Sequence, residues 1–507
     1  RLIQLYKMQP APEKDEHEVI FHTDIPFWVK DTIQKDAGFA LSISNIENEA
    51  TIGFENTGYP VAVIQYFLVT AFNTPFTSIS LSDFQSIWSH GENESSFSAN
   101  KILLDAETAH ILAVQWGEPD NEALIIEATV EDVIEKLLTE NEYQLAIIPA
   151  QALTPQIRTI RMDNQSFFQT GESLSRSTFQ VQLFSPFPLV DEPIQINFSM
   201  DTITSVNITG VTALTRATAV LMSKYGNSYP AVLIQDILTD ADYTHISNEV
   251  VFTPACPPQQ YTSEELRFCS PPSTFELLKF IEADIVELTG DHLVDYGIEA
   301  LNYTLAAYED AGIVTYGGGK NLDAARSPLR IEHHGNKIAF IGCNAKSPAY
   351  ARAAEALPGT WFCDIELLKT IIIQLHQEGY LPIVTIQHLE NNIYQPPPQL
   401  VEDFDELGKL TPIILIGSQA HVPKPYVVQD GLFIHYGLGN LFFDQINESE
   451  AHGQALIDRL IFSNNRLLSV DIYPLRFLDY AQSRPMTAEE EMDFLSIVFS
   501  LSQFPLP

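Results

Sequence analysis

The chain has 507 residues, of which 45% are hydrophobic, so large cores are expected and disorder of the whole chain is excluded. Its 66 acidic and 27 basic residues give a formal net charge of −39, which argues against nucleic acid and anionic membranes as partners. No apolar run is long enough to span a bilayer, so no transmembrane segment is predicted in this chain.

The first part of the chain, 1–195, alternates strand and helix patterns. The predicted elements are, in order, a strand over 17–23, a helix over 26–36, a strand over 62–70, a helix over 78–89, a helix–strand pair over 103–116, a helix over 130–138 and a strand over 144–149. The helix over 78–89 is expected to begin at Ser82 or Asp83. This alternation predicts an α/β domain with a parallel sheet.

Residues 176–204 are rich in Pro and Ser and are predicted to link this domain to a second α/β domain over 196–507. The predicted elements there are helices over 274–283, 296–311, 365–378, 399–407 and 487–501, strands over 285–288, 382–387 and 413–416, and hairpins over 329–343, 426–436 and 459–474. We expect the three single strands to share one sheet. Their C-terminal ends should converge, because each is followed by a polar loop.

Four cysteines allow three disulfide pairings. We favour Cys256–Cys269 and Cys343–Cys363, since each bond would close one loop and the spacing lacks the CxxC pairs of a zinc site. Buried free thiols are the alternative. Disulfides indicate an oxidising compartment. The chain begins at Arg1 without Met, which is consistent with the removal of a signal or anchor segment. The chain is therefore predicted to be secreted, extracellular or at the cell surface.

The loop after the strand over 285–288 carries Asp291, His292, Asp295 and Tyr296. A polar loop at the end of a buried strand is where α/β proteins build sites. Together with IVTIQHLENNIYQPPP (383–398) and the segment 413–444, this stretch resembles the poly-γ-glutamate capsule-biosynthesis (CapA-like) family of the metallophosphoesterase superfamily, over about 205–480. The resemblance implies a layered α/β fold whose carboxylate, amide and imidazole groups hold one or two divalent ions that activate water.

The chain departs from the family's motifs at several ligand positions. Val211 stands where the first motif has an aspartate, Gln387 where the fourth has a histidine, and Ser418 where the fifth has its first histidine. Ser247 and Asp291 each replace an asparagine. A valine cannot bind a metal, so the resemblance implies at most one divalent ion, and no cofactor can be named.

Other positions keep the family's pattern, including the closing motif YGLGNLFFD over 436–444. The metal ligands implied by the resemblance are Glu249, Asp291, His292 and His421. The catalytic residues that it implies are His292, Asp295, Glu390 and Arg216.

Each of these residues also has a structural interpretation. His292 and His421 could cap loops by hydrogen bonds, and Asp295 could bond the turn that follows it. Glu390 could be a solvated loop acid. Arg216 could grip an anionic group or form a structural ion pair with the acid of the second motif.

The N-terminal part resembles a different family. The segments FNTPFTSISLSDFQSIWSHGE and LAIIPAQAL are similar to the hinge and second lobe of periplasmic phosphate-type solute-binding proteins, over about 16–175. Serine-rich anion-binding loops are not evident, and Asp24 after the first strand would repel an anion. We therefore expect a degenerate binding domain that serves as a spacer or adaptor.

Two functions are consistent with these patterns. The first is an extracytoplasmic CapA-like protein that acts in the synthesis or handling of an anionic cell-surface polymer, with a degenerate metal site and, if it is an enzyme, hydrolase or transferase chemistry. The second is a non-catalytic surface protein that reuses both folds for binding or assembly. The expected partners are a cell-surface polymer or other surface proteins, and an oligomer is compatible with either function.

Overall fold

The computed structural model describes residues 20–37, 51–54, 58–91, 101–120, 123–140, 145–262 and 265–504. The strands of its N-terminal part are β1 (Ile20–Phe21), β2 (Thr51–Ile52), β3 (Tyr59–Ala71), β4 (Ser78–Ile79), β5 (Ile102–Asp105), β6 (Leu124–Glu127), β7 (Leu145–Pro149), β8 (Ile157–Thr159), β9 (Arg161–Met162), β10 (Gln180–Ser185) and β11 (Ile194–Gln195). The α-helices are α1 (Phe27–Ala37), α2 (Leu81–His90), α3 (Ala106–Trp116), α4 (Val130–Thr139) and α5 (Leu174–Thr178). Residues 17–19 of the first predicted strand lie outside the described residues.

A seven-stranded sheet forms the centre of this part, in the order β10-β3-β7-β5-β6, with β8 and β11 also paired to β3. β5 runs parallel to β6 and β7, as predicted for strands connected through helices. β3 runs antiparallel to β7 and β10, so the prediction of a parallel sheet was wrong for this strand. An apolar run indicates that a strand is buried but carries no information about its direction.

Helix α2 shows how a run of several polar residues can lead to a wrong prediction of where a helix begins. Its N-cap is Ser80, whose hydroxyl accepts the backbone N–H of Asp83 at 2.9 Å. The predicted start at Ser82 or Asp83 was therefore late. Both of these residues lie in the first turn, where their side chains are also compatible with a cap.

The C-terminal part contains the remaining strands and helices. The strands are β12 (Ile203–Thr212), β13 (Tyr243–Asn248), β14 (Val251–Phe252), β15 (Cys269–Ser270), β16 (Ile285–Glu287), β17 (Val314–Tyr316), β18 (Gly318–Gly319), β19 (Leu329–His333), β20 (Asn336–Asn344), β21 (Gly359–Thr360), β22 (Leu381–Gln387), β23 (Ile413–Ser418), β24 (Tyr426–Gln429), β25 (Leu432–His435), β26 (Asn440–Phe442), β27 (Gln454–Ser463), β28 (Arg466–Phe477) and β29 (Ser483–Pro485). The α-helices are α6 (Arg216–Tyr225), α7 (Gln235–Thr239), α8 (Glu276–Phe280), α9 (Gly297–Ala311), α10 (Leu322–Ala325), α11 (Ile365–Gln377), α12 (Pro398–Leu407) and α13 (Ala488–Ser500).

Two sheets form the core of this part. The first has eight strands in the order β17-β16-β13-β12-β27-β28-β29, with β26 beside β12, and the second has six in the order β19-β20-β22-β23-β25-β24. Apolar side chains of both sheets meet in one cluster, among them Ile208, Leu460, Phe340, Ile383 and Ile414. Helices α8 and α9 pack on the outer face of the first sheet and α11 and α12 on that of the second, which gives four layers.

The prediction that three strands share one sheet was wrong. β16 belongs to the eight-stranded sheet, whereas β22 and β23 belong to the six-stranded sheet. Their C-terminal ends nevertheless converge, as expected: Gln387 Nε2 lies 2.9 Å from Asp291 Oδ1, and Ser418 Oγ lies 3.3 Å from Thr289 Oγ1. The ends meet because the two sheets pack face to face and end at the same edge.

The N-terminal and C-terminal parts are joined by polar and aromatic contacts. Asp471 on β28 accepts a hydrogen bond from the Thr159 hydroxyl at 3.1 Å, and the Arg161 guanidinium donates to the carbonyl of Ile472 at 2.9 Å. Phe72, just after β3, is 1% exposed and packs against Tyr426 with ring centroids 5.2 Å apart. The strands of the N-terminal sheet all precede residue 196, although the division into domains at residue 195 stays a prediction.

Two features bear on where the chain resides. Both predicted disulfides are present, Cys256–Cys269 with a Cα–Cα distance of 5.7 Å and Cys343–Cys363 with one of 5.0 Å. Their presence is compatible with an extracellular location. In the described ranges, none of the helices combines the length and the hydrophobicity needed to cross a bilayer.

Candidate functional site

The candidate site lies where strands of both sheets end. β13 leads directly to Glu249, and Asp291 and His292 follow β16 after a short turn. β22 ends at Gln387. Gly290 allows these loops to approach each other, because a Cβ there would lie 2.7 Å from both Cα and O of Glu249. The site is therefore built from loops held together by two rigid sheets.

Three of the four predicted metal ligands form a compact cluster. Glu249, Asp291 and His292 each offer one ligand atom, and these atoms lie within 4.8 Å of one another. Glu249 is 3% exposed, and its Oε2 accepts no hydrogen bond from any residue in the described ranges. A buried carboxylate oxygen without a donor is unfavourable unless a cation satisfies it. Two carboxylates and an imidazole thus fit one divalent ion of the Mn²⁺ or Zn²⁺ type.

His292 is oriented by the carboxylate of Asp295. Its Nδ1 lies 2.6 Å from Asp295 Oδ2, while its Nε2 faces Glu249 Oε1 at 3.9 Å. Burial lowers the pKa of His292, but the bond to Asp295 and the charges of Glu249 and Asp291 outweigh it and raise the pKa to about 9. A carboxylate behind a ligating histidine is the usual way of fixing its ring. Asp295 therefore positions His292, a contact that the turn-capping interpretation did not include.

The sequence did not identify Lys346, which follows β20. Its ammonium Nζ lies 2.5 Å from Glu390 Oε1 and 3.3 Å from Asp291 Oδ2. Burial raises the pKa of Asp291, but Lys346 and His292 outweigh it, so the pKa is lowered overall. Burial lowers the pKa of Lys346, but Glu390 and Asp291 outweigh it, so the pKa is raised. A lysine directly after a buried strand was the signal available in the sequence.

Glu390 and His421 form the other side of the site. His421 Nε2 lies 3.7 Å from Glu390 Oε2, and its Nδ1 lies 2.8 Å from Asn440 Oδ1. Glu390 therefore contacts Lys346 and His421 and is not simply a solvated loop acid. His421, the fourth predicted metal ligand, lies beside Glu390 and outside the cluster of Glu249, Asp291 and His292.

Arg216 does not pair with Glu249, so that structural interpretation was wrong. Its guanidinium forms an ion pair with both carboxylate oxygens of Asp444 and lies 4.8 Å from the ring centroid of Phe268 and 4.9 Å from that of Phe443. Asp444 follows β26, which pairs with β12, and this pairing brings it to the start of α6. The pair fixes a loop near the site, whereas a catalytic role for Arg216 stays a prediction.

Neutral side chains occupy two positions at which the family resemblance places a metal ligand. Val211 is fully buried in a small apolar cluster with Ala213, Val250, Phe268 and Phe443. Ser418 Oγ lies 3.2 Å from Ser247 Oγ, whose oxygen also accepts from the Gln419 amide at 2.7 Å. Neither Val211 nor Ser418 can therefore supply the carboxylate or imidazole that the family's motifs have at these positions.

Two packed sheets between helices, with a cluster of carboxylates and histidines at their strand ends, define a layered α/β domain of the metallophosphoesterase type. Residues 199–445 match the family model described as bacterial capsule synthesis protein PGA_cap. This region of the chain thus matches the CapA-like family that its motifs predicted.

Curated relatives agree with this assignment. The chain is similar to the PGA biosynthesis protein CapA of Bacillus subtilis, with 24% identity over 36% of this chain and 48% of that protein. It is also similar to the capsule biosynthesis protein CapA of Bacillus anthracis, with 21% identity over 53% of this chain and 66% of that protein. The chain thus spans about half to two thirds of the length of these relatives.

Solved structures give weaker similarities. A 5'-nucleotidase precursor from Thermus thermophilus matches with a TM-score of 0.31 and 12% identity, over 59% of this chain and 58% of that one. An ABC-type phosphate transport receptor from Vibrio cholerae matches with a TM-score of 0.23 and 7% identity, over 33% of this chain and 84% of that one. Such scores carry no argument, so the fold assignment rests on the sheets and on the family match.

Proposed function

We propose that the chain acts outside the cytoplasm in the synthesis or handling of an anionic cell-surface polymer of the poly-γ-glutamate type. The observation that supports this best is that the family match over 199–445 spans the whole cluster of Glu249, Asp291 and His292. Both disulfides are compatible with the location. The curated relatives are described by their roles in capsule and PGA biosynthesis.

In this proposal the site takes at most one divalent ion, held by Glu249, Asp291 and His292. When bound, such an ion would supply Lewis acidity toward a carbonyl, carboxylate or phosphoryl oxygen of the ligand. Asp295 holds His292 with Nε2 toward the ion position. Glu390, beside Lys346 and His421, is the carboxylate best placed to accept or hold a proton next to that position.

The alternative is a non-catalytic surface protein that binds the polymer or another surface protein. It is favoured by the neutral side chains at three family ligand positions, since Val211, Gln387 and Ser418 are all packed or bonded within the protein. Both functions include polymer or partner binding, and they differ in whether turnover accompanies it.

Calorimetric titration of the purified chain with poly-γ-glutamate, with and without Mn²⁺, tests the proposal. We expect binding that strengthens with Mn²⁺ and a weakening of about 10-fold or more in Glu249→Gln and His292→Ala. The exposed His110→Ala serves as control. Absence of binding under both conditions would overturn the proposal.

Hydrolysis of a generic phosphoester with added Mn²⁺ separates the two functions. We expect activity to be absent or very low in the unaltered chain, because a two-metal site requires ligands that Val211, Gln387 and Ser418 do not supply. Robust turnover that His292→Ala abolishes would show instead that the site is a competent metallophosphoesterase.

A further inference from the structure

We infer that the ammonium group of Lys346 takes the place of a second metal ion, so that the site holds one exchangeable cation and one cation that is part of the chain. The inference rests on the proposed function only in placing the exchangeable ion at Glu249, Asp291 and His292. It identifies Lys346 as a residue that determines both the number of ions and the charge presented to the ligand.

The ammonium group of Lys346 is shared by two carboxylates, those of Asp291 and Glu390. Asp291 contributes one oxygen to the cluster with Glu249 and His292, and its Oδ2 lies 3.3 Å from Lys346 Nζ. Glu390 Oε1 lies 2.5 Å from the same nitrogen. Asp291 therefore stands between two cation positions, as a bridging carboxylate does in a dinuclear site.

The surroundings of Lys346 are built to keep the ammonium in place. Lys346, Asp291 and Glu390 are each at most 22% exposed, and they come from loops after β20, β16 and β22, so both sheets contribute. The Lys346 backbone N–H donates to Asn344 Oδ1 at 2.8 Å, which fixes the start of its loop. Surface ion pairs between mobile side chains have no such support.

The contacts of Gln387 show that Asp291 and Glu390 also accept hydrogen bonds from a neutral donor. Its carbonyl oxygen is occupied by the Asn344 amide at 2.5 Å, so its Nε2 points toward the carboxylates. That nitrogen lies 2.9 Å from Asp291 Oδ1 and 3.4 Å from Glu390 Oε1. In this orientation the amide presents N–H groups to the carboxylates and does not itself act as a metal ligand. The ammonium and the amide together satisfy the two carboxylates that a second ion would otherwise bind.

This arrangement has a consequence for the ligand. An anionic oxygen, such as a polymer carboxylate, would meet one divalent ion and one fixed ammonium. The ammonium adds a single positive charge that chelators cannot remove and that needs no metal supply. It also contributes N–H donors that can rotate toward the ligand, whereas a metal ion offers no hydrogen-bond donor of its own.

The number of Mn²⁺ ions bound per chain tests the inference. Equilibrium dialysis against Mn²⁺ alone should give one more ion per chain in Lys346→Ala than in the unaltered chain. Electron paramagnetic resonance should then show spin coupling between two ions, in place of the spectrum of an isolated one. Lys346→Arg keeps the positive charge and should bind the same number as the unaltered chain.

Further variants control for folding and for unspecific binding. Lys346→Asn should gain the ion as well, which keeps the test valid if Lys346→Ala fails to fold by circular dichroism. Adding Glu390→Gln to Lys346→Ala should remove the extra ion. Lys409→Ala is the matched control, because Lys409 Nζ also lies 2.5 Å from a carboxylate oxygen, that of Glu406, but its side chain is 66% exposed. No additional Mn²⁺ ion is expected in this variant.

The outcomes separate this inference from the proposed function. A gain of one ion in Lys346→Ala supports the inference even if the unaltered chain binds none. That result would contradict only the placement of an exchangeable ion at Glu249, Asp291 and His292. Equal numbers in the unaltered chain and in both folded Lys346→Ala and Lys346→Asn would overturn the inference. Two ions in the unaltered chain would overturn it as well.

Discussion

One hydrogen bond decides which nitrogen of His292 faces the site. Asp295 Oδ2 holds Nδ1 at 2.6 Å and itself accepts the backbone N–H of Phe268 at 2.9 Å, so the carboxylate is fixed from two sides. Arg216 and Asp444 form a second fixed pair nearby. At the scale of single residues, the site thus depends on buried carboxylates. Their partners include a near neighbour in sequence, His292, as well as the distant residues Phe268 and Arg216.

Replacing Asp295 with Asn should weaken Mn²⁺ binding by about 10- to 100-fold, because the ring of His292 loses its orienting carboxylate. It should also lower the pKa of His292, which is raised to about 9 in the folded chain. Competition with a metal indicator measures the first effect and NMR titration of the ring measures the second. Unchanged values for both would show that Asp295 has no positioning role.

The raised pKa of His292 has a consequence for stability. A folded pKa of about 9, above the usual 6.5, means that His292 contributes stability fully below pH 6.5 and loses it as the pH rises through 9. We therefore expect the free energy of unfolding without metal to fall over this range more steeply in the unaltered chain than in His292→Gln. Parallel curves from urea denaturation would contradict this.

Breaking the pair of Arg216 and Asp444 should be strongly destabilising. Asp444 is 5% exposed at its side chain and also accepts the backbone N–H of Ala217. Asp444→Asn therefore leaves the guanidinium of Arg216, whose side chain is only 17% exposed, without its counter-ion. The expected loss is about 3 kcal/mol in the free energy of unfolding. Asp323→Asn, which breaks the exposed pair with Arg326, should cost no more than about 1 kcal/mol. Similar losses in both variants would refute the structural role.

At the scale of elements, local patterns identified the strands and helices but not their partners. The run Ile413–Ser418 is apolar on both faces, and such a strand fits either of two sheets equally well. Whether β16 joins β22 depends on connections that are distant in sequence. The converging strand ends could be predicted, because the polar residues follow each strand locally. Lys346 could not be assigned a role, since its carboxylate partners come from two other loops.

The start of the last helix, α13, is specified by residues that are close together in sequence. Its first turn forms a capping box, in which Thr487 accepts the N–H of Glu490 and Glu490 accepts that of Thr487 at 2.9 Å. Arg484 donates to both oxygens of Glu490, at 2.6 and 2.8 Å. The bond from Arg484 is the largest cause that lowers the pKa of Glu490 to about 2.

Glu490→Gln should therefore destabilise the chain by about 1 kcal/mol at pH 7, a small value because the carboxylate is partly exposed. The folded pKa lies below the usual 4.5, so this contribution is complete above pH 4.5 and is lost as the pH falls through 2. Unfolding curves of the two proteins should converge toward pH 2. The exposed Glu489→Gln in the same turn is the control, and an equal effect there would point to general helix electrostatics instead.

At the scale of the whole molecule, the charge of −39 opposes the proposed ligand. A poly-γ-glutamate chain is itself anionic, so its approach is repelled at long range and attracted only within reach of the site, where Lys346 lies. Disulfides and sheets position that local positive charge, but they do not alter the surrounding field. The repulsion could be predicted from composition alone, whereas the positive group at the site could be located only from the structure.

Because of this repulsion, we expect the association rate with poly-γ-glutamate to rise with ionic strength. Screening shortens the Debye length from about 30 Å at 0.01 M salt to about 8 Å at 0.15 M. The repulsion between chain and polymer should then weaken while the short contacts at the site persist, which raises the rate by about tenfold. Stopped-flow measurements across this range, with the uncharged methyl ester of the polymer as control, would show the effect. A rate that falls with salt would instead indicate that an exposed cationic surface, and not the buried site, recruits the polymer.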